Sequence, residues 1–336
     1  MRYDILFHLV NGPEGDPVVY GNFSYERRAI LFDLGDIHSL SARSLLKVTH
    51  VFVSHAHVDH FIGFDHLLRL HLGRSKTLRI YGPPGLTRHV NAKLSGYSWN
   101  LVHNYPYDFT LEVFEFGGSG AGASRFRCQD RFRPENLPTL GPAPVILDEP
   151  GLRVTSTLLE HDIPSLAYAL EEKVHINVDK VRLEASGFAV GSWLRKAKEA
   201  VRREESNDAV LRVPLAAGPN GEFREITLGE LRERFLSCSR GLKFGYVTDA
   251  AFNPENSRKI VELVRGADVF FCEAVFSERD RARAEQRRHL TAKQAGLLAR
   301  EAEARRLVLF HFSPRYHLRL EPLYQEAAEA FGKEVG

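Results

Sequence analysis

An α/β sandwich is the fold class that this sequence predicts, and three observations carry the expectation. Short β-type runs alternate with amphipathic helical segments through the N-terminal third and again after residue 240. Metal-binding residue types stand where apolar runs end, at His55, His161, Asp249 and His311. Between the two alternating regions, residues 173–240 lose the pattern and read as an insertion.

The elements follow in order. Residues 3–10 read as a strand, 11–15 as a Gly/Pro turn and 17–25 as a mixed apolar stretch. A strand at 28–33 and a helix at 39–46 lead into the strand at 48–54. Apolar residues at helical spacing over 61–72 precede a strand at 78–81, and Gly82-Pro83-Pro84-Gly85 opens a helix near 86–94. Residues 117–150 are rich in Gly and Pro and read as loops between short strands. A strand at 153–159 delivers Glu160-His161-Asp162. Within 173–240 lie a basic helix-like piece at 192–203 and a turn at 218–221, so this region is expected to be an arm inserted in a single domain spanning 1–336. Strands at 242–247, 268–273 and 306–311 then alternate with helices at 254–265 and 291–305, the last starting at Thr291.

Composition narrows the class. At 336 residues, 26% charged and 43% hydrophobic, the chain matches a globular protein with a large core. No apolar run approaches the ~20 residues of a membrane span, and residues 1–12 lack an export pattern, so a cytoplasmic protein without membrane contact is expected. Cys128, Cys238 and Cys272 are scattered and have no zinc-ribbon spacing, which fits a reducing compartment. The net charge of +2 is too small to imply a nucleic-acid partner by itself.

The densest chemical signal is Ser54-His55-Ala56-His57-Val58-Asp59-His60, placed directly after a buried strand. A turn there can aim His55 and His57 at one cation, and Asp59 and His60 at a second beside it. Imidazole with carboxylate suits zinc or a similar first-row ion. Two such ions roughly 3.5–4 Å apart activate water against phosphate esters or acyl groups.

The histidine-rich loop, together with residues 160–172, Val247-Thr248-Asp249, Arg288-His289-Leu290-Thr291-Ala292 and the stretch 309–316, resembles the metallo-β-lactamase superfamily. Within that superfamily, His-Leu-Thr-Ala at 289–292 and His-Phe-Ser-Pro-Arg-Tyr at 311–316 resemble ribonuclease Z, the tRNA 3′-processing endonuclease. The resemblance implies an αββα sandwich with an inserted arm. It implies one metal bound by His55, His57 and His161, a second by Asp59, His60 and His311, and Asp249 bridging both. Two Zn2+ are expected, with Mn2+ as the other candidate. A metal-bridging hydroxide would attack phosphorus, with Asp59 orienting the water, His289 protonating the leaving oxygen and Glu273 supporting His289.

The resemblance also implies an RNA substrate, a tRNA precursor, and a homodimer. Arg315 beside His311 is a candidate phosphate contact. In the arm, Trp193 with Arg195, Lys196 and Lys198 offers an aromatic among cations, as single-stranded nucleic acid requires. The run ahead of the metal loop reads Asp33-Leu34-Gly35-Asp36 where the family carries acid-Cys-Gly-Glu, and the arm's Gly-Pro-rich motif has its nearest counterpart in 185–193. These departures make a small phosphodiester, a sulfate ester or a lactone the alternative substrate for the same metal chemistry.

Overall fold

The computed structural model describes residues 4–24, 26–117, 122–139, 144–216 and 222–336, so the turn expected at 218–221 lies outside the described residues. Strands β1 (Ile5–Leu9), β2 (Val19–Phe23), β3 (Ala29–Phe32), β4 (Val48–Phe52), β5 (Lys76–Gly82), β6 (Phe109–Glu115), β7 (Ala123–Arg127) and β8 (Pro134–Asn136) form one sheet in that order. The inner strands β3 to β6 run parallel, and the flanking strands pair antiparallel. Parallel strands need crossovers. These carry α1 (Ala42–Leu45), α2 (Val58–Phe61), α3 (Phe64–His71) and α4 (Leu86–Ser95).

β9 (Val145–Asp148), β10 (Leu152–Leu159) and β11 (Ser165–Glu172) follow. Residues after β11 form β12 (His175–Val178), α5 (Lys180–Ala185), α6 (Trp193–Arg202), β13 (Val210–Pro214), β14 (Phe223–Thr227), α7 (Leu228–Arg234) and β15 (Leu236–Ser239). The chain closes with β16 (Lys243–Val247), α8 (Pro254–Val264), β17 (Val269–Glu273), α9 (Arg281–Arg287), α10 (Ala292–Glu301), β18 (Leu307–Phe310) and α11 (Glu321–Phe331). The second large sheet has the order β18-β17-β16-β11-β10-β9, with β16, β17 and β18 parallel.

The chain divides into two compact units. One collects Met1–Asp4, Leu147–Arg153 and Glu171–Leu242; the other holds Ile5–Ile146, Val154–Leu170 and Lys243–Gly336. The smaller unit has its own core of Leu183, Phe188, Trp193, Val213, Ile226, Leu231 and Phe235.

In the larger unit two sheets face each other across aromatic rings. Phe32 lies 4.7 Å from Phe244, and Phe52 lies 5.6 Å from Tyr168. The alternate residues Leu31, Val51 and Val53 point the other way, into a cluster with Phe64, Leu67, Leu86 and Val90 of the crossover helices. On the second sheet Phe270, Cys272 and Leu309 pack with residues of α8, α10 and α11, including Ile260, Leu298 and Leu323. Strands covered on both faces are apolar throughout, and the four residues of β3 are all buried. The αββα sandwich follows from this layering.

Two expectations change in detail. The helix expected over 61–72 starts earlier and is broken at Gly63, where the chain passes so close to Gly35 that a Cβ would meet Gly35 O at 2.3 Å. The Gly63 N–H instead donates to Leu34 O at 2.9 Å, which pins the loop after β4 to the end of β3. Asp59 and His60 therefore sit on the single turn α2. α11, a C-terminal helix not expected from the pattern, packs on α10 with Ala327 against Gly296.

Candidate metal centre

The residues singled out from separate strand ends meet at one place in the larger unit. Ring nitrogens of His55, His57 and His161 and a carboxylate oxygen of Asp249 lie within 4.8 Å of one another. So do those of Asp59, His60 and His311, and those of Asp249, Glu273, His289 and His311. Asp249 is the common member: its carboxylate lies 3.6 Å from His55 Nε2, 3.5 Å from His60 Nε2, 3.5 Å from His161 Nε2 and 3.1 Å from His311 Nδ1. His311 Nε2 is 3.3 Å from Asp59 Oδ2.

Outward hydrogen bonds set which nitrogen faces inward. Ser54 Oγ donates to Asp33 Oδ2 at 2.8 Å and so accepts from His55 Nδ1 at 2.9 Å. His60 Nδ1 donates to Asp33 Oδ2 at 2.8 Å, and His161 Nδ1 donates to Arg288 O at 2.9 Å. The Nε2 lone pairs of His55, His60 and His161 are thereby turned toward the centre. Asp33, Asp249 and His311 adopt φ of 57°, 47° and 62°. Left-handed backbone costs about 1–3 kcal/mol per non-glycine residue and collects at functional sites. Here it occurs where β3, β16 and β18 end and turn their polar residues toward the centre.

The donor set fits a divalent cation. His60 Nε2 is buried and has no hydrogen-bond partner among the described residues, although it is 3.4 Å from Asp59 Oδ2. The carboxylates also draw positive charge to the rings. Burial opposes charge on His60, yet Asp249 and Asp33 outweigh it and push its pKa up to about 10. His311 behaves alike: burial opposes, and Asp249 raises it well above the usual value. Burial and then His60 lower His55 to about 2, which leaves that ring a neutral donor. A cation would take over the charge that His60 and His311 otherwise carry.

His289 and Glu273 stand beside this set. His289 Nδ1 is 2.9 Å from Glu273 Oε2. The other Glu273 oxygen accepts from Ala250 N at 2.9 Å and Leu290 N at 3.2 Å. Burial opposes charge on His289, and Glu273 outweighs it, so the imidazole pKa is raised. A cavity of about 390 Å³ is lined by His289, Ser313, Arg283, Arg287 and Arg315. Arg315 Nη1 is held by Asp280 Oδ1 at 2.9 Å. Sequence reading missed Arg283, Arg287 and Asp33; the four-residue spacing of the two arginines on α9 was the available signal.

The arm residues fare differently. Trp193 is 8% exposed and donates its Nε1–H to Ala189 O, so it belongs to the smaller unit's core and offers no free face for stacking. Lys198 is also inward, 3.8 Å from Asp4. Arg195 and Lys196 are exposed on α6, with Arg195 3.9 Å from Glu199.

No family model matches the chain. Individual relatives do. It is 30% identical over 295 residues to ribonuclease Z of Deinococcus radiodurans, covering 85% of this chain and 83% of that one. It is 27% identical over 292 residues to ribonuclease Z of Porphyromonas gingivalis, covering 85% and 78%. Among solved structures, the metallo-β-lactamase-fold protein YhfI of Bacillus subtilis aligns with TM-score 0.55 at 16% identity, covering 99% and 95%. The short form of human tRNase Z aligns with TM-score 0.52 at 18% identity, covering 93% of each chain. The fold, the strand-end centre and the relatives agree, and the chain belongs to the ribonuclease Z family of metallo-β-lactamase-fold, metal-dependent hydrolases.

Proposed function

We propose that this protein is a cytoplasmic endoribonuclease that processes tRNA precursors at their 3′ ends with two divalent cations, zinc or, as the second candidate, manganese. The observation that carries the reading is the convergence on Asp249 of His55 and His60 from the segment after β4, His161 from the end of β10 and His311 from the end of β18. His55, His57 and His161 would hold one cation, Asp59, His60 and His311 the other, and Asp249 both. Such a pair supplies a lowered pKa for water and offsets charge on phosphoryl oxygens.

The chain's own residues do the rest. Asp59, 39% exposed at its side chain, can orient the attacking water from the open side of the centre. His289 would protonate the departing oxygen, and the Glu273 contact at 2.9 Å supports this by holding the ring and its charge. Arg283, Arg287 and Arg315 border the same cavity and would bind phosphates of the RNA flanking the cut. In the arm, Arg195 and Lys196 are the exposed cations that can track RNA backbone. A homodimer in which one subunit's arm presents RNA to the other completes the reading, and light scattering tests it.

The deciding experiment is cleavage of a 3′-extended tRNA precursor beside bis(p-nitrophenyl) phosphate, with zinc or manganese. A single cut near the discriminator base, lost with a chelator and in His57→Ala, is expected. Turnover of the small ester alone would overturn tRNA as the substrate.

A further inference from the structure

Asp4, Glu172 and His175 form a second convergent set, within the smaller unit, that the hydrolytic reading does not use. A carboxylate oxygen of each acid and an imidazole nitrogen lie within 4.8 Å of one another. His175 Nδ1 is 3.9 Å from Asp4 Oδ1 and 3.8 Å from Glu172 Oε1. The three side chains are only 9%, 3% and 3% exposed. These same atoms, Asp4 Oδ1, Glu172 Oε1 and His175 Nδ1, are buried without a hydrogen-bond partner among the described residues.

Each group's other polar atom is engaged. Asp4 Oδ2 accepts from Arg202 Nη2 at 2.7 Å, and Glu172 Oε2 accepts from Leu242 N at 3.3 Å. His175 Nε2 donates to Asn177 Oδ1 at 3.1 Å, which leaves Nδ1 as a lone-pair donor. Three acceptors thus face one point. Their separations are too long for direct hydrogen bonds. A water has two protons and would leave one of the three unmatched. A point between them lies about 2.2–2.5 Å from each atom, within a few tenths of an ångström of zinc's contacts to carboxylate and imidazole.

We propose that Asp4, Glu172 and His175 bind a divalent first-row cation, of the zinc class, at a structural site separate from the strand-end centre. The engaged second atoms of the three side chains are the outer contacts such a site needs to hold its donors in place. The ion cross-links Asp4 to residues about 170 positions along the chain, and closing so long a loop stabilises the unit that contains it. Lys198 Nζ lies 3.8 Å from Asp4 Oδ1, the oxygen the ion would use. Its ammonium competes with the ion, so the site binds less tightly than its donors alone would allow.

The test uses full-length protein stripped with chelator, dialysed against micromolar Zn2+ and assayed for bound zinc by elemental mass spectrometry. Wild type should hold one equivalent more than His175→Ala and one more than Glu172→Gln, while both variants still turn over bis(p-nitrophenyl) phosphate. This difference does not depend on how many ions the strand-end centre holds, nor on whether tRNA is the substrate. Lys198→Met should bind the extra ion at least threefold more tightly. Zinc should raise the melting temperature of wild type by a few degrees more than that of either variant. Equal zinc content in wild type and both variants would overturn the proposal and leave the cluster as a buried charge network. So would loss of all bound zinc when His57→Ala and His311→Ala together empty the strand-end centre, a count taken with Asp4, Glu172 and His175 intact.

Discussion

Asp33 accepts from Ser54 N at 2.6 Å, Ser54 Oγ at 2.8 Å, His60 Nδ1 at 2.8 Å and Tyr246 Oη at 2.7 Å. One buried carboxylate therefore sets the ring of His60 directly and that of His55 through Ser54. In Asp33→Asn, an amide N–H2 faces donors that need an acceptor. Metal affinity is expected to fall about 10–100-fold, the usual effect of losing an outer contact to a metal-binding histidine; competition with a zinc indicator measures it. His289→Ala keeps every proposed metal donor and removes the proposed proton source. Its kcat on precursor tRNA should fall about 10²–10⁴-fold with bound metal unchanged. Equal losses of metal and activity would make His289 a metal donor instead.

Elements act through their surfaces. α9 carries Arg283 and Arg287 one turn apart, both lining the cavity that contains His289. Arg287→Ala should raise KM for RNA and lower the salt dependence of binding by about one unit of log–log slope. Turnover of a small phosphodiester should stay unchanged, which separates an RNA contact from damage to the centre. α10 and α11 meet where Gly296 lies under Ala327, and a Cβ there would come within 2.3 Å of Ala327 O. Alanine is the better helix former by about 1 kcal/mol. Gly296→Ala should nonetheless destabilise by about 1–3 kcal/mol through overpacking, read as a lower denaturant midpoint with an unchanged m-value.

For the molecule as a whole, two buried histidines outside the centre tie stability to pH. Burial and then Arg28 lower His50 to about 2, and burial lowers His71 to about 4. In the unfolded chain both titrate near 6.5. The unfolded state binds more protons below that value, so their contribution is complete above about pH 6.5. It is lost as pH falls toward the folded-state values. Between pH 7 and pH 5 the unfolding free energy should fall by about 1–2 kcal/mol per histidine, and urea midpoints at the two values test this. A flat profile would mean that these rings protonate without unfolding. Among the described residues no helix is long and apolar enough to cross a membrane.

The layered fold was legible because period and apolar runs are local properties. The runs at 48–54, 242–247, 268–273 and 306–311 became β4, β16, β17 and β18 with ends shifted by one or two residues. The loop from His55 to His60 was legible for the same reason, since its short spacing brings those side chains near one another however the remainder folds. Neither Gly63, whose N–H leaves the expected helix to donate to Leu34 O, nor Asp33, which orders two histidines, could be read from spacing. Each acts on residues that only strand order and register bring close. The basic stretch around Trp193 read as a nucleic-acid face, whereas burial turned Trp193 into a core and Lys198 toward Asp4. Thus the sequence by itself determined the layer type, the family and the residue types able to bind metal. Tertiary structure alone decided which nitrogen of each ring faces inward, and which carboxylates meet which rings. Those choices depend on contacts between segments distant in the chain, and local periodicity carries no record of them.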